Sequence, residues 1–376
     1  MVSLGQIMRA VGTAFLRTRP TTPFQRKALF AIQRCRTAVM GSIYTACDSC
    51  GVKHLVFRSC RNRHCPSCQA NAREQWLAAR ERELLPVPYF HLVFTVPEIL
   101  NDLALYCPEV FYAALLRAAG NAVLDVGHSK LKALLGCLTI LHTWGQNLSL
   151  HPHVHCVVPG GGFSFDGKRW VSLRSSTYLL PIKVLRRRFK NLLCGYLREA
   201  ERQGKFARLP KTVLAHAAIE GAWAQEWIAY VKRPFGGPRQ VLRYLARYTH
   251  RVAISNHRIL SFENNKVTFR WRDYADSNRS KLMVLEATEF VRRFLMHVLP
   301  PRFVKIRYFG FLSNRQRTEN IERARTLVGA TAMPAGEERI KPPVLCPACF
   351  AAQKQQIVRA PSTPGIRPPP RFAQTA

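Results

Sequence analysis

The sequence predicts an α+β fold organised around a mainly antiparallel sheet. Apolar, strand-like runs occur at 89–96, 137–142 and 153–158, and a connection of hairpin-loop size separates the last two. Helical segments are interspersed without the regular strand–helix–strand alternation of a parallel sheet. The length of 376 residues, of which 47% are hydrophobic, is enough for one sizeable core with smaller appendages.

The remaining elements follow from apolar periodicity and turn residues. Residues 1–40 carry apolar side chains near helical spacing, and 71–85 form a charged amphipathic helix that Pro86 and Pro88 end. Asn264–Asn265 is a turn signal between two strand-like runs and predicts a hairpin. Further helices are expected at 109–126, 183–202, 239–251 and 286–299, and the Pro-rich end, 360–376, is expected to be disordered.

The charge of the chain indicates a polyanionic partner. Lys and Arg number 57 against 22 Asp and Glu, a net charge of +35. Such an excess opposes compaction, so it serves a partner, and nucleic acid fits best because phosphate contacts by Lys and Arg carry most of its affinity. A ribosome-associated or membrane-surface protein is the alternative. No uncharged run has the length of a membrane span, and Arg9 and Arg17 interrupt the N-terminal segment, which predicts a cytoplasmic, nucleoid-associated protein without a membrane partner.

Two paired cysteine motifs predict a structural zinc site. Cys47 and Cys50 form one CxxC motif, and Cys65 and Cys68 form another a short loop later. Two such motifs can place four thiolates around one tetrahedral Zn²⁺ ion. A set of buried free cysteines is the alternative reading.

Additional cysteines and a histidine leave the ligand set open. Cys60 and His64 lie between the two motifs, and either residue could replace one of the four ligands. Cys346 and Cys349 form a further CxxC near the C-terminus, which supplies only two ligands by itself. It pairs with other cysteines or with a second chain, or it is an unliganded turn.

A cluster of histidines predicts a second metal site. His153 and His155 are two apart on a predicted strand and so share a face, while Val154 points into a core. His142 ends the preceding strand, and a hairpin would bring it alongside as the third ligand. His151 is disfavoured because a proline follows it. A site with open positions suits Mg²⁺ or Mn²⁺ bound to a phosphate, although histidines accept Zn²⁺ equally well.

A pair of tyrosines lies on a predicted basic helix. Tyr244 and Tyr248 are four residues apart and project from one helix face, and Arg247 and Arg251 repeat the same step. A phenol near a metal-bound phosphate and guanidinium groups is a candidate nucleophile, with the arginines contacting phosphate. Taken alone, the two tyrosines are better read as core aromatics.

In combination, these motifs resemble the two-tyrosine HUH rolling-circle transposases of the insertion sequence ninety-one family. His153-Val154-His155 matches the His–hydrophobic–His motif, and Tyr244 and Tyr248 match the paired tyrosines. SCRNRHCPSCQ resembles the cysteine-rich domain of that family, and PYFHLVFTVP, HPHVHCVVPGG and YLARYTHRVAISN resemble its catalytic domain. The resemblance covers about residues 24–310, with the motifs in the same order.

The resemblance implies a palm-like antiparallel sheet with the histidine motif on its central strand. It implies nicking of single-stranded DNA through a 5′-phosphotyrosine intermediate, with Tyr244 and Tyr248 as nucleophiles and His153 and His155 as ligands of a catalytic metal. Element ends and target DNA are then the substrates. The sequence contains no GxxxxGK[ST] motif, so unwinding would require a host helicase.

Three other functions remain open at this point. A plasmid replication initiator or relaxase would share the chemistry. A zinc-dependent DNA-binding regulator would lack catalysis altogether, and a metal-dependent hydrolase would use His151, His153 and His155 without the tyrosines.

The predicted organisation has four parts: a helical N-terminal segment at 1–40, a zinc-binding domain with its connecting helix at 41–85, a two-tyrosine catalytic domain at 86–311, and a basic, Pro-rich tail with a CxxC motif at 312–376.

Overall fold

The structure is a computed structural model that describes residues 2–232, 234, 237–241, 243, 253–274, 276–329, 346, 348–349 and 356–359. Its helices are α1 Leu4–Thr18, α2 Pro23–Arg34, α3 Gln69–Glu81, α4 Asn101–Tyr106, α5 Pro108–Leu131, α6 Ile182–Arg202, α7 Ala215–Ala224, α8 Ala287–Met296 and α9 Arg317–Val328. Its strands are β1 Ser42–Ala46, β2 Lys53–Phe57, β3 Tyr89–Thr95, β4 Gly136–Trp144, β5 Leu150–Pro159, β6 Gly161–Phe163, β7 Trp170–Ser172, β8 Ile228–Lys232, β9 Ile259–Glu263, β10 Lys266–Asp273, β11 Arg279–Glu286, β12 Ile306–Gly310 and β13 Gln356–Arg359.

A five-stranded sheet in the order β12-β4-β5-β3-β8 forms the centre of the molecule. Every neighbouring pair in it is antiparallel, as the sequence predicts. β5, the strand with the histidine motif, is the central one. It runs from Leu150 to Pro159 and includes Pro152. The expectation that this proline would interrupt the strand after His151 is therefore wrong. Proline lacks only the N–H donor, and the ladder to β4 is irregular at this end.

One face of this sheet is closed by helices. Inward side chains of β3 and β5, including Phe94 and Val154, are fully buried in one apolar cluster with residues of α4, α5, α6 and α7. Phe94 stacks on Phe189 of α6 with ring centroids 4.6 Å apart. α5 is long and apolar enough to cross a membrane, but most of its apolar stretch is buried inside the fold, as the packing of a core helix requires.

Among the described residues, a second apolar cluster covers part of the opposite face. Near β12, Leu138, Ile140 and Val157 pack against α9. They also pack against residues 84–87, which follow α3, and against Val241. Val241 belongs to the helical residues 237–241, the described start of the predicted basic helix. The histidines occupy the remainder of this face.

A second core joins the N-terminal helices α1 and α2 to the hairpin of β9 and β10. α1 and α2 both begin with a capping box, from Ser3 to Gln6 and from Thr22 to Gln25. They pack with α8 and with β9 and β10 of a three-stranded antiparallel sheet. The predicted turn at Asn264–Asn265 has φ values of +48° and +59°, the left-handed geometry that a two-residue hairpin requires.

The C-terminal region contains more regular structure than the sequence predicted. α9 lies within the predicted basic tail and packs its Ile321 and Ala324 into the core. β13 pairs with β1, so this strand of the predicted tail lies beside the cysteine-rich domain. Residues 360–376, for which disorder was predicted, lie outside the described residues.

Candidate functional site

The strand ladder brings three predicted histidines together. His142 on β4 is the register partner of His153 on β5, which is the neighbour that the predicted hairpin required. One ring nitrogen from each of His142, His153 and His155 lies within 4.8 Å of the others. The Nε2 atom of His155 is 3.0 Å from Nδ1 of His142. Three nitrogen ligands can therefore converge on one cation.

The three histidines differ in their exposure. His142 and His155 are buried, at 2% and 6% exposure, whereas His153 is partly exposed. Nδ1 of His153 lies 2.7 Å from the carbonyl oxygen of His151, which fixes the orientation of the ring. His151 itself is exposed and lies outside the three-histidine group.

Burial keeps the imidazoles of His153 and His155 neutral. Loss of water lowers the pKa of His153 to about 4. The pKa of His155 falls well below its ordinary value, mainly through burial and then through the neighbouring His142. Neutral imidazole is the form that binds a metal ion, so the site is prepared for ligation.

Two further residues support this centre and were missed from the sequence. Nε2 of His91, on β3, lies 2.7 Å from Nδ1 of His155. The indole ring of Trp144 stacks on His142 with centroids 4.6 Å apart. His91 lies within an apolar strand, and its sequence context gives no signal beyond the alternation that places it on the histidine face.

The predicted zinc ligands lie in two clusters instead of one. Cys65 and Cys68 group with Cys35 and Cys60, whereas Cys47 and Cys50 group with the C-terminal cysteines 346 and 349. The prediction that the two N-terminal motifs share one ion is therefore wrong. The hairpin of β1 and β2 places the first motif at its turn, away from the start of α3 where the second motif lies.

The first cluster is built by two helix ends and a tight turn. Cys35 caps the end of α2 and Cys68 precedes α3, with their Sγ atoms 3.5 Å apart. Cys65 and Cys60 complete the set, at 3.6 Å from Cys35 and 3.7 Å from Cys68. Zn–S bonds of 2.3 Å in a tetrahedron imply sulfur separations of about 3.8 Å. The donors and their spacing fit zinc.

Neighbouring thiols perturb each other within this cluster. Hydrogen bonding from Cys60 is the main cause that lowers the pKa of Cys35 to about 7. Hydrogen bonding from Cys35 likewise holds the pKa of Cys68 below its ordinary range. His64, the alternate ligand, lies outside the cluster, because its Nε2 accepts a hydrogen bond from the backbone N–H of Leu299 at 3.0 Å.

Known proteins match the chain along its length. Residues 136–320 match a family described as "Putative transposase", and residues 7–96 match the transposase zinc-binding domain of IS91. "Putative transposase y4qJ" of Sinorhizobium fredii is 40% identical over an alignment of 397 positions, gaps included, which spans 99% of this chain and 98% of that protein. The transposase for insertion sequence element IS801 of Pseudomonas savastanoi pv. phaseolicola is 30% identical over 292 residues, spanning 75% of this chain and 68% of that protein.

The chain belongs to the IS91 family of transposases.

A solved structure is also similar to this transposase. It is the metal-bound complex of the conjugative relaxase TrwC with oriT DNA, at 15% identity over 43% of this chain and 70% of that chain, with a TM-score of 0.24.

The predicted helix with the paired tyrosines is described only at its start. Tyr244, Tyr248, Arg247 and Arg251 lie outside the described residues. Just before them, Val241 is buried on the histidine face of the sheet.

Proposed function

We propose that this transposase nicks and rejoins single-stranded DNA through 5′-phosphotyrosine intermediates in rolling-circle, one-ended transposition. Tyr244 and Tyr248 are the nucleophiles of this proposal. His142, His153 and His155 hold the catalytic metal ion. The protein acts on element ends and target DNA in the bacterial cytoplasm, at the nucleoid.

The convergence of the three imidazoles carries the proposal. Two neighbouring strands supply them, and the sheet fixes their backbones. The neutral donors leave positions of a cation open to a substrate oxygen at the partly exposed His153. A purely structural histidine cluster has no need of a partly exposed ligand such as His153.

Mg²⁺ or Mn²⁺ is the metal of the proposal. When bound, it polarises the scissile phosphate as a Lewis acid and stabilises the charge of the transition state. The chain orients this site itself: His91 holds the ring of His155, and the carbonyl of His151 holds that of His153.

The chain before the tyrosines supports their assignment as nucleophiles. Val241 packs with Leu138, Ile140 and Val157, on the face that also carries the histidines. Nε of Arg243 donates to the Glu81 carboxylate of α3 at 2.9 Å. The described start of this helix is thus held against the sheet on the side of the metal site. A tyrosine attacking phosphorus releases a 3′-OH and becomes linked to the 5′-phosphate.

Charge and sequence indicate the DNA partner and the helicase. The net charge of +35 favours binding to a polyanionic strand. Unwinding falls to a host helicase in this proposal, because the sequence lacks a P-loop motif.

The Cys35 cluster binds the structural zinc ion of the zinc-binding domain in this proposal. Its four thiols lie at tetrahedral spacing, and the backbone N–H of Cys60 donates to the sulfur of Cys35 at 3.5 Å. The ion links the end of α2 to the start of α3.

A covalent-adduct assay tests the proposed chemistry. The protein is incubated with Mg²⁺ or Mn²⁺ and an oligonucleotide that spans the element end, labelled in separate reactions at its 3′ or 5′ terminus. We expect the 3′-labelled fragment to migrate with the protein on a denaturing gel. The 5′-labelled fragment should be released with a 3′-OH that a polymerase can extend.

Variants distinguish the competing functions. The doubly substituted Tyr244→Phe/Tyr248→Phe protein should form no adduct, whereas Tyr178→Phe, at an exposed tyrosine far along the chain from the pair, should behave as the unsubstituted protein. Cleavage without an adduct would support the hydrolase, and binding without cleavage would support the regulator. Activity only on a plasmid origin or transfer origin would support an initiator or relaxase.

A further inference from the structure

A second cysteine cluster connects the two ends of the chain. The Sγ atoms of Cys47 and Cys349 are 3.6 Å apart, and those of Cys50 and Cys346 are 3.7 Å apart. These distances are far too long for disulfides, whose sulfur atoms lie about 2.05 Å apart. They agree with the separation of about 3.8 Å between thiolates around tetrahedral zinc. All four sulfur atoms lie within 4.8 Å of one another.

The backbone at Cys47 and Cys50 has the form of a metal-binding knuckle. The N–H of Gly51 donates to the carbonyl of Cys47 at 2.8 Å, and Gly51 has a φ of +68°, which suits glycine. The N–H of Cys47 donates to the carbonyl oxygen of Val52 at 3.0 Å and closes the turn. Both thiols therefore project from one turn between β1 and β2.

The C-terminal strand makes the same connection independently of the thiols. β13 pairs antiparallel with β1, from Ile43 opposite Arg359 to Ala46 opposite Gln356. The resulting sheet has the order β13-β1-β2. Cys47 and Cys349 are 302 residues apart in sequence, and Cys50 and Cys346 are 296 residues apart. Closing so long a loop costs considerable chain entropy.

The described side chains of β2 bury little apolar surface. Leu55, Val56 and Phe57 are 47%, 53% and 36% exposed. Small sheets have limited stability by themselves, and a structural metal is one way to increase it.

We propose that Cys47, Cys50, Cys346 and Cys349 bind a second Zn²⁺ ion, which fastens the C-terminal segment to the zinc-binding domain. The matched zinc-binding family covers residues 7–96 and so includes only half of this site. Zinc binding releases the protons of the four thiols, and no redox partner is involved. The C-terminal segment is then an integral part of the domain and not an appendage.

Thiol alkylation of the full-length protein tests this proposal. Cys50 and Cys349 are exposed, so without a metal both thiols are accessible to iodoacetamide. We expect both to resist alkylation in the purified protein and to react after treatment with a strong chelator, as mass spectrometry of peptides would show. Rapid alkylation of both before chelation would overturn the proposal.

Zinc content provides the second measurement. The Cys346→Ser/Cys349→Ser protein should contain one zinc ion per chain fewer than the unsubstituted protein, whatever the histidine site holds. Cys47→Ser should make Cys349 reactive despite the 302 residues between them. Cys194→Ala, at a buried cysteine outside both clusters, is the matched control and should retain the zinc content of the unsubstituted protein. Equal zinc content in the Cys346→Ser/Cys349→Ser and unsubstituted proteins would contradict the second site.

Discussion

Nε2 of His91 lies 2.7 Å from Nδ1 of His155, so two buried imidazoles from adjacent strands are joined edge to edge. The contact determines which nitrogen of His155 remains for a metal: Nε2, the atom that faces His142. Partners of this kind fix the tautomer and the ring orientation of a ligand. His91 therefore acts as a positioning residue for the centre.

Replacing His91 should weaken metal binding without removing a ligand. We expect His91→Phe to raise the dissociation constant for Mn²⁺ by roughly 10–100-fold, because the ring of His155 loses its fixed tautomer. Titration calorimetry measures the affinity directly, independently of DNA cleavage. His91→Gln retains a hydrogen-bonding side chain. Its dissociation constant for Mn²⁺ should lie between those of His91→Phe and the unsubstituted protein. An unchanged affinity in His91→Phe would restrict His91 to packing.

The alternation of β5 separates stability from metal binding. Val154 is fully buried in the core on one face, and His153 lies on the other. We expect Val154→Ala to lower the free energy of unfolding by roughly 1–3 kcal/mol through a cavity, with metal affinity little changed. His153→Ala should weaken metal binding and leave the free energy of unfolding little changed. Denaturant unfolding and Mn²⁺ titration of both variants check this, and equal loss of metal affinity in both would contradict it.

Local pattern was sufficient to predict the histidine face. The short connection after His142 compels antiparallel pairing, and alternation along β5 then selects His153 and His155. The hairpin at Asn264–Asn265 was predictable for the same reason, since both residues tolerate a positive φ. These features depend on neighbours within a few residues.

Long-range partners were beyond what the pattern could specify. Cys35 joins its cluster from the end of α2, and Cys346 reaches Cys50 from the other end of the chain. A CxxC motif reveals a pair of ligands but not which other pair completes the tetrahedron. β8 was also missed, because its sequence gives only a short run with exposed Ile228 and Tyr230.

Binding of single-stranded DNA should depend steeply on salt. The charge of +35 favours many phosphate contacts, and each contact releases condensed counterions. If the site neutralises 6–10 phosphates, the association constant should fall roughly 10²–10⁴-fold between 50 and 200 mM salt. Fluorescence anisotropy with a labelled oligonucleotide measures the slope. A nearly flat dependence would mean that the excess charge serves another partner.

Lys305 should make the protein more stable as the pH rises above neutrality. Burial and the neighbouring Arg63 lower the pKa of Lys305 to about 7, below its ordinary value of 10.5. Between these two values the unfolded chain binds more protons than the folded chain, so the contribution of Lys305 destabilises the fold at and below pH 7 and fades towards pH 10.5.

Two substitutions at Lys305 test this linkage. Lys305→Met, which keeps most of the aliphatic chain, should raise the free energy of unfolding at pH 7 by roughly 1–3 kcal/mol, a figure discounted for partial solvent screening. Its advantage should shrink between pH 7 and pH 9, because the unsubstituted protein gains stability over that interval. Lys305→Arg cannot lose its proton and should remain destabilised at both pH values. Urea unfolding at the two pH values compares all three proteins, and a constant difference between Lys305→Met and the unsubstituted protein would show that Lys305 is fully solvated.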